Sequence, residues 1–380
     1  MRYKFLALFV GVACFNPITG ISQITRPIST AVPFLTISPD SRAASMGDAG
    51  VASSPDANSI YWNTAKLAFS ERSVGASVSY TPWLQSLVDD MGLINASFFK
   101  KINKNQAFTF GLTYFNLGKI EFTSNTAQSL GTFQSREYVG VVGYTRKLSR
   151  DFSMGINLKF INSNLIGTQV VMNQASKPGS SAGGDIGFYY NNNKRPTGDF
   201  KRTSMAWGLV FSNLGAKINY GRDAYFLPAN IKLGTALTIR ADEHNRFNLL
   251  LDANKLLVPT PNGVSNNSKD VGVLEAVFKS FNDAPDGMKE ELKEITTSVG
   301  FEYLYDNAFA VRAGYFYESK MKGNRQYATV GLGLKLKDSY GLDMAYLIPT
   351  TVGNPLANTW RLSLIFDLQA KESEAVVPAN

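Results

Sequence analysis

The stretch A-F-T-F-G-L-T-Y-F-N, from Ala107 to Asn116, decides the fold. Phe108, Phe110, Leu112 and Tyr114 fall on one face of an extended chain, and Thr109, Gly111 and Thr113 fall on the other. Successive side chains of a strand point to opposite faces, so this is a strand with one apolar wall and one small, polar wall. The same pattern returns near the C-terminus. Val299, Phe301, Tyr303 and Tyr305 alternate with Ser298, Gly300, Glu302 and Leu304. The pair Asp306-Asn307 then reverses the chain into Phe309, Val311, Ala313, Tyr315 and Tyr317, with Arg312 opposite, which reads as a hairpin.

Working outward from these two places, period-two segments recur from about residue 72 onward. Fourteen are predicted, over 72–82, 91–100, 106–117, 136–147, 152–164, 182–190, 204–214, 230–240, 246–254, 295–305, 308–317, 326–336, 340–347 and 359–368. Most have the nine to twelve residues that a tilted strand needs to cross a bilayer. An even number suits a closed bacterial barrel, and closure is forced because an open sheet edge in hydrocarbon leaves backbone groups unpaired. The fold class is therefore an all-β, fourteen-stranded antiparallel outer-membrane β-barrel. The connections alternate in length: 102–105, 148–151, 241–245, 306–307 and 337–339 are short, while 118–135, 165–181, 215–229, 255–294 and 348–358 are long. Short turns belong to the periplasm and long loops to the outside, which predicts both termini in the periplasm. Tyr80, Tyr220 and Tyr346, at strand ends, are expected in interfacial girdles. A soluble β-sandwich would have shorter strands and less regular alternation of loops.

Composition agrees. Mean hydropathy is −0.10, charged residues are 18%, and the 380 residues include 25 Phe, 17 Tyr and 32 Gly. A barrel hides its hydrophobicity in alternation, so its average resembles that of a soluble protein. Residues 1–22 read as a cleaved signal peptide: Arg2 and Lys4, an apolar Phe5–Phe15, then Gly20-Ile21-Ser22 before Gln23. A lipoprotein signal around Cys14 is the alternative, but Gly11 stands where such signals carry a larger aliphatic residue. Cys14 is the sole cysteine, so cleavage excludes disulfides, thiolate metal sites and cysteine nucleophiles. Removing Arg2 and Lys4, the only charged side chains of that segment, takes the formal charge from +8 to +6. That excess suits either contact with anionic lipopolysaccharide and outer-membrane lipid or an ordinary solvated surface. No dense Lys/Arg cluster points to nucleic acid.

Between the signal peptide and the first strand the texture changes. Residues 23–70 are rich in small residues and lack alternation, and Tyr61, Trp62, Leu67 and Phe69 would be awkward in a free tail. We read 23–70 as a plug inside the lumen, 71–368 as the barrel, and 369–380 as a polar periplasmic tail. The run R-A-A-S-M-G-D-A-G-V-A (Arg42–Ala52) and D-A-N-S-I-Y-W-N-T-A-K-L-A (Asp56–Ala68) resembles the N-terminal signature of FadL-type fourteen-stranded outer-membrane proteins. Within that superfamily the whole chain is similar to the PorV (LptO) family, the outer-membrane component of the Bacteroidetes type IX secretion system. Thr64 departs from the pattern, which has proline there. The last strand departs too: Trp360, Leu362, Leu364, Phe366 and Leu368 alternate, but a polar tail follows them.

Sites of chemistry are absent from the sequence. His244, the sole histidine, lies in a predicted turn and cannot by itself build a zinc site or a serine triad. Gly331 and Gly333 are strand glycines rather than a nucleotide loop, and Asp89-Asp90 lacks calcium-ligand spacing. We expect no enzyme, metal or cofactor. Binding features are stronger. The first long-side loop carries Trp83, Leu84 and Leu87, either as a partner surface or folded back over the barrel mouth. The loop 255–294 carries Leu274, Val277, Phe278 and Phe281 at helical spacing, with Met288, Leu292 and Ile295 continuing the stripe beyond Pro285 and Gly287. It is either a helical cap or a docking surface. The resemblance implies secreted proteins with a conserved C-terminal domain, a giant translocon barrel and a sortase-like attachment complex as partners. The alternative function is FadL-type transport of hydrophobic small molecules. Asn157, Lys159, Lys232, Arg312, Arg361 and Asp367 are expected to face inward, and that polar set disfavours a greasy route.

Overall fold

A computed structural model describes residues 25–368 except 86, 125, 168–169, 172–173, 176, 193–201, 222–223, 262–270, 338, 351–353 and 355. The expected signal peptide and the polar tail lie outside the described residues. Fourteen strands form one closed antiparallel barrel. They are β1 (Val74–Pro82), β2 (Gly92–Asn103), β3 (Gln106–Thr123), β4 (Ser129–Lys147), β5 (Phe152–Asn164), β6 (Gly179–Asn191) and β7 (Arg202–Gly215), followed by β8 (Asn230–Arg240), β9 (Asn245–Leu256), β10 (Thr296–Tyr305), β11 (Phe309–Tyr317), β12 (Gln326–Leu336), β13 (Tyr340–Pro349) and β14 (Trp360–Leu368). First and last strands close the wall, from Val74↔Leu368 to Tyr80↔Leu362. No described helix is long and apolar enough to cross a membrane.

The alternation that predicted the strands also sorts their faces. Phe108, Phe110 and Leu112 are exposed on the outer wall, whereas Thr109 and Thr113 are buried inside. Of the residues expected to face inward, Asn157, Lys232, Arg312 and Arg361 are buried. Lys159 and Asp367 form lumen-side ion pairs with Asp185 and Lys335, both at 2.8 Å.

Three expectations change. The predicted loop 118–135 is largely a continuation of β3 and β4, which pair from Lys119↔Gln134 to Thr123↔Ser129 beyond a register shift at Asn116/Lys119. Gly118, with φ +84°, takes the bend there. Tyr220 is not in a girdle: it packs against an interior cluster with Phe34 and Ile161 and donates to the Ser163 hydroxyl at 2.8 Å. Finally, β1 does begin at the short-turn end, but the segment before it threads back through the lumen. Arg26 therefore sits at the long-loop end, its N–H donating to the carbonyl of Met321 between β11 and β12.

Inside the barrel lie two single-turn helices, α1 (Ser41–Ala44) and α2 (Ser59–Trp62), and a 3-10 helix over Thr64–Phe69. The loop after β9 carries α3 (Val273–Lys279) and α4 (Met288–Glu291).

Candidate functional site: the plugged lumen and the long-loop cap

The plug is held by its backbone. Among the cross-strand glycine pairs of the wall, Gly155↔Gly187, Gly208↔Gly234 and Gly300↔Gly314 open dents in the lumen face against the plug. Signature residues fill them. Met46 and Gly47 enter the dent at Gly300 and Gly314, Val51 that at Gly208 and Gly234, and Thr64-Ala65 that at Gly155. A Cβ on Gly314 would overlap the Met46–Gly47 backbone, and Gly47 has φ +67°, so both ends of this contact need glycine. The sequence held this signal in the small residues of Arg42–Ala52 and the glycines of the strands. Reading Gly331 only as a strand glycine missed that its lumen face abuts Ser45.

Polar groups of the plug are matched one by one to the wall. Asp252 of β9 accepts from the N–H groups of Gly50 (2.7 Å) and Val51 (2.9 Å). Asp40 caps α1, accepting from Ala43 N–H at 2.9 Å, and its other oxygen accepts from Trp62 Nε1 at 2.7 Å. Thr64, where the resemblance led to proline, instead donates to Asn157 of β5 at 2.7 Å. At the centre Glu302 of β10 receives Arg42 Nε at 3.0 Å, Arg312 Nε at 2.9 Å and Asn248 Nδ2 at 2.8 Å. Arg42 reaches on to Asp56 and Arg312 to Asp343. Buried charge is tolerable only when paired and hydrogen-bonded in this way. The space left is unequal: about 90 Å³ beneath the long loops and about 30 Å³ beside Phe34 and Ile60, against about 430 Å³ open toward the short turns.

The cap follows the opposite logic. In α4 and the turn after it the buried side chains are acids: Glu290 accepts from Lys322 at 2.7 Å and from Arg26 at 2.8 Å. Glu294 takes Lys322 at 2.9 Å and Lys255 at 2.5 Å. Burial opposes ionisation of Glu290, yet the Lys322 ammonium and Arg26 guanidinium hold its carboxyl below the ordinary range. The apolar stripe, read from the sequence as either a helical cap or a docking surface, points away from the protein. Leu274 is 75% and Phe278 76% exposed, Phe281, Met288 and Leu292 are exposed too, and Val277 is half-buried. Ala276 and Val273 pack down instead, against Phe226 and Val258.

The first loop divides. Trp83 and Leu84 fold back against Phe316, Tyr327, Leu347 and Leu356, whereas Leu87 is exposed. The structure thus gathers Leu274, Phe278 and Phe281 on one loop face and puts Trp83 and Leu84 into the mouth. Among the described residues no group of His, Cys, Asp and Glu is arranged to hold a metal ion.

A sequence profile of the family described as type IX secretion system protein PorV matches residues 21–263, well over half of the chain. The chain belongs to the PorV family. No curated protein matches its sequence. Solved structures similar to this PorV-family barrel include the Pseudomonas putida toluene transporter TodX, at 12% identity over 90% of this chain and 98% of that one, with a TM-score of 0.47. The Ralstonia pickettii toluene transporter TbuX matches at 10% identity over 87% and 98%, with a TM-score of 0.46. A Pseudomonas aeruginosa FadL homologue matches at 12% identity over 90% and 99%, with a TM-score of 0.44. Family and fold are those of an outer-membrane secretion or transport barrel. The PorV match covers the plug, with its signature residues, and β1 to β9, but ends before α3 and the exposed stripe.

Proposed function

We propose that this PorV-family barrel is a docking platform of the type IX secretion system: its long loops receive secreted proteins bearing a conserved C-terminal domain as they leave a giant translocon barrel, and pass them to a sortase-like attachment complex. The observation that carries this reading is the exposed apolar face of α3. Exposed Leu274 and Phe278 above a closed barrel describe an anchor whose chemistry is recognition, and buried aromatic and aliphatic anchors dominate protein interfaces. The plug supports it, because a lumen filled by matched hydrogen bonds and buried ion pairs is a poor conduit. Uptake of hydrophobic small molecules is the second reading. Its support is the niche lined by Phe34, Leu35, Ile37, Ile60, Val139 and Val141, whose 30 Å³ is far below the ~300–1,000 Å³ of small-molecule pockets, so uptake requires the plug to move.

The test is a tagged, mild-detergent purification from the native host, comparing the natural chain with Leu274→Asp/Phe278→Asp. Exposed positions outside packed features change stability by only about 0.5 kcal/mol, so the variant should fold normally. Mass spectrometry should recover a very large barrel and secreted proteins with the natural chain, and lose the secreted proteins with the variant. Equal recovery of those proteins with both chains would sink the docking role of α3. Recovery of this chain alone with bound apolar small molecules would favour uptake.

A further inference from the structure

At the short-turn end of the lumen three arginines stand side by side on consecutive strands. Arg202 of β7 is the register partner of Arg240 of β8, and Arg240 is the register partner of Arg246 of β9. All three share the lumen-facing parity of their strands, with Ser204 and Ala206, Thr238 and Ala236, and Asn248 and Leu250 following inward. Like charges placed directly opposite across a ladder destabilise it. Buried or half-buried charge is ordinarily matched by a partner. Here the match is missing: among the described residues none of the three has a carboxylate within ion-pair distance, and the buried Arg246 Nε has no hydrogen-bond partner.

The neighbouring acids are committed elsewhere. Glu302 is held by Arg42, Arg312 and Asn248, Asp56 by Arg42, Asp343 by Arg312, and Asp367 by Lys335. Glu71, exposed at the mouth, and Glu302 reach Arg246 only through space. Arg240 and Arg246 also line an open cavity of about 430 Å³ facing the short turns.

We infer that this arginine ladder binds a phosphate group. Guanidinium forks pair bidentately with oxyanions, and a tetrahedral phosphate offers oxygens in several directions to forks from different strands. A planar carboxylate presents only two. Strands lie about 4.8 Å apart, so the three side chains span about 10 Å and can converge on one such group. The shared chemistry fits free phosphate or the headgroup phosphate of a phospholipid on that side of the membrane.

The test uses the full chain in a phosphate-free maltoside detergent, with inorganic phosphate and dihexanoyl phosphatidylglycerol as separate probes against potassium chloride at matched ionic strength. At least one probe should raise the unfolding temperature and show saturable binding by calorimetry. Response to inorganic phosphate alone assigns the free ion, and response to the lipid alone assigns the headgroup. Arg240→Gln/Arg246→Gln should abolish the response while unfolding in chloride no earlier than the natural chain, because the like-charge contact is relieved. Should that variant fail to fold, Arg240→Lys keeps the charge, loses the fork, and should weaken binding about tenfold. The proposal is overturned if neither probe acts beyond chloride on the natural chain, or if the folded variants respond as it does.

Discussion

The plug and the cap both interrupt the alternating pattern of the barrel, yet they solve burial in opposite ways. The plug is small-residue backbone, pressed into glycine dents and hydrogen-bonded to the wall through Asp252, Asn157 and Glu302. The cap buries its glutamates against Lys255, Lys322 and Arg26, and leaves Leu274, Phe278, Met288 and Leu292 outside. Helical periodicity alone leaves such an apolar stripe either as a cap or as a docking face. Under α4 and the turn after it the surface is cationic, so the acidic face is the one that finds partners, whereas α3 packs down through Ala276 and Val273 on Phe226 and Val258. The plug finds its partners within the chain; the cap leaves an apolar face without one, and that face is the proposed docking surface.

The largest expected effect comes from breaking the plug side of this contrast at Glu302. Glu302→Gln leaves Arg42 and Arg312 without their shared carboxylate in a buried setting, where losing one partner costs about 3–5 kcal/mol. Denaturant unfolding in detergent should show that loss, together with faster protease cleavage within residues 41–57. Unchanged stability would mean that water enters this cluster and that the plug is not held by its charges.

A smaller effect is expected from geometry alone. In Gly314→Val the added Cβ meets the Met46–Gly47 backbone, an overpacking of about 1–3 kcal/mol that the plug relieves by shifting. Planar-bilayer recordings should then show ion conductance that the natural chain lacks. Gly140→Val, at a site with nothing within 4 Å, is the matched control and should stay closed. Conductance in neither variant would show that the glycine dents are not what seats the plug.

How much of this was legible in the sequence follows from the physics of each region. Period-two alternation is local, so β5, β8 and β12 match the spans read from sequence, and the inward polar set falls where parity puts it. The 118–135 segment was misread because its hairpin extends beyond the membrane-crossing length, where alternation no longer has a lipid face to mark. The glycine dents were invisible because a pair such as Gly300↔Gly314 exists only once register is known. The fate of Trp83, folded back, and of Leu274, exposed, depends on the charge and shape of distant surfaces, which spacing along the chain does not encode. The arginine ladder was missed for the same reason: Arg202, Arg240 and Arg246 look scattered until three strands are aligned.

The smallest effect sets the baseline for the buried charges. His244, in the turn after β8, pairs through Nδ1 with Asp306 in the turn after β10, and both are solvent-exposed. The hydrogen bond and charge of Asp306 raise the His244 pKa above its ordinary 6.5. A folded value raised above the unfolded one means that the stabilisation is fully present below the ordinary value and fades as pH rises through the raised one. Because His244 is the sole histidine, its ring resonances in a chain without a histidine tag report that titration directly. Asp306→Asn should move the midpoint downward, and the two chains should differ in unfolding temperature only slightly, on the acidic side alone. Exposed pairs are weak because water and salt already screen them, whereas Glu302 and Arg312 are buried and screened far less. A midpoint indifferent to Asp306 would sever this pair; a stability change rivalling that of Glu302→Gln would mean that the rim, and not the filled lumen, governs the barrel's electrostatics.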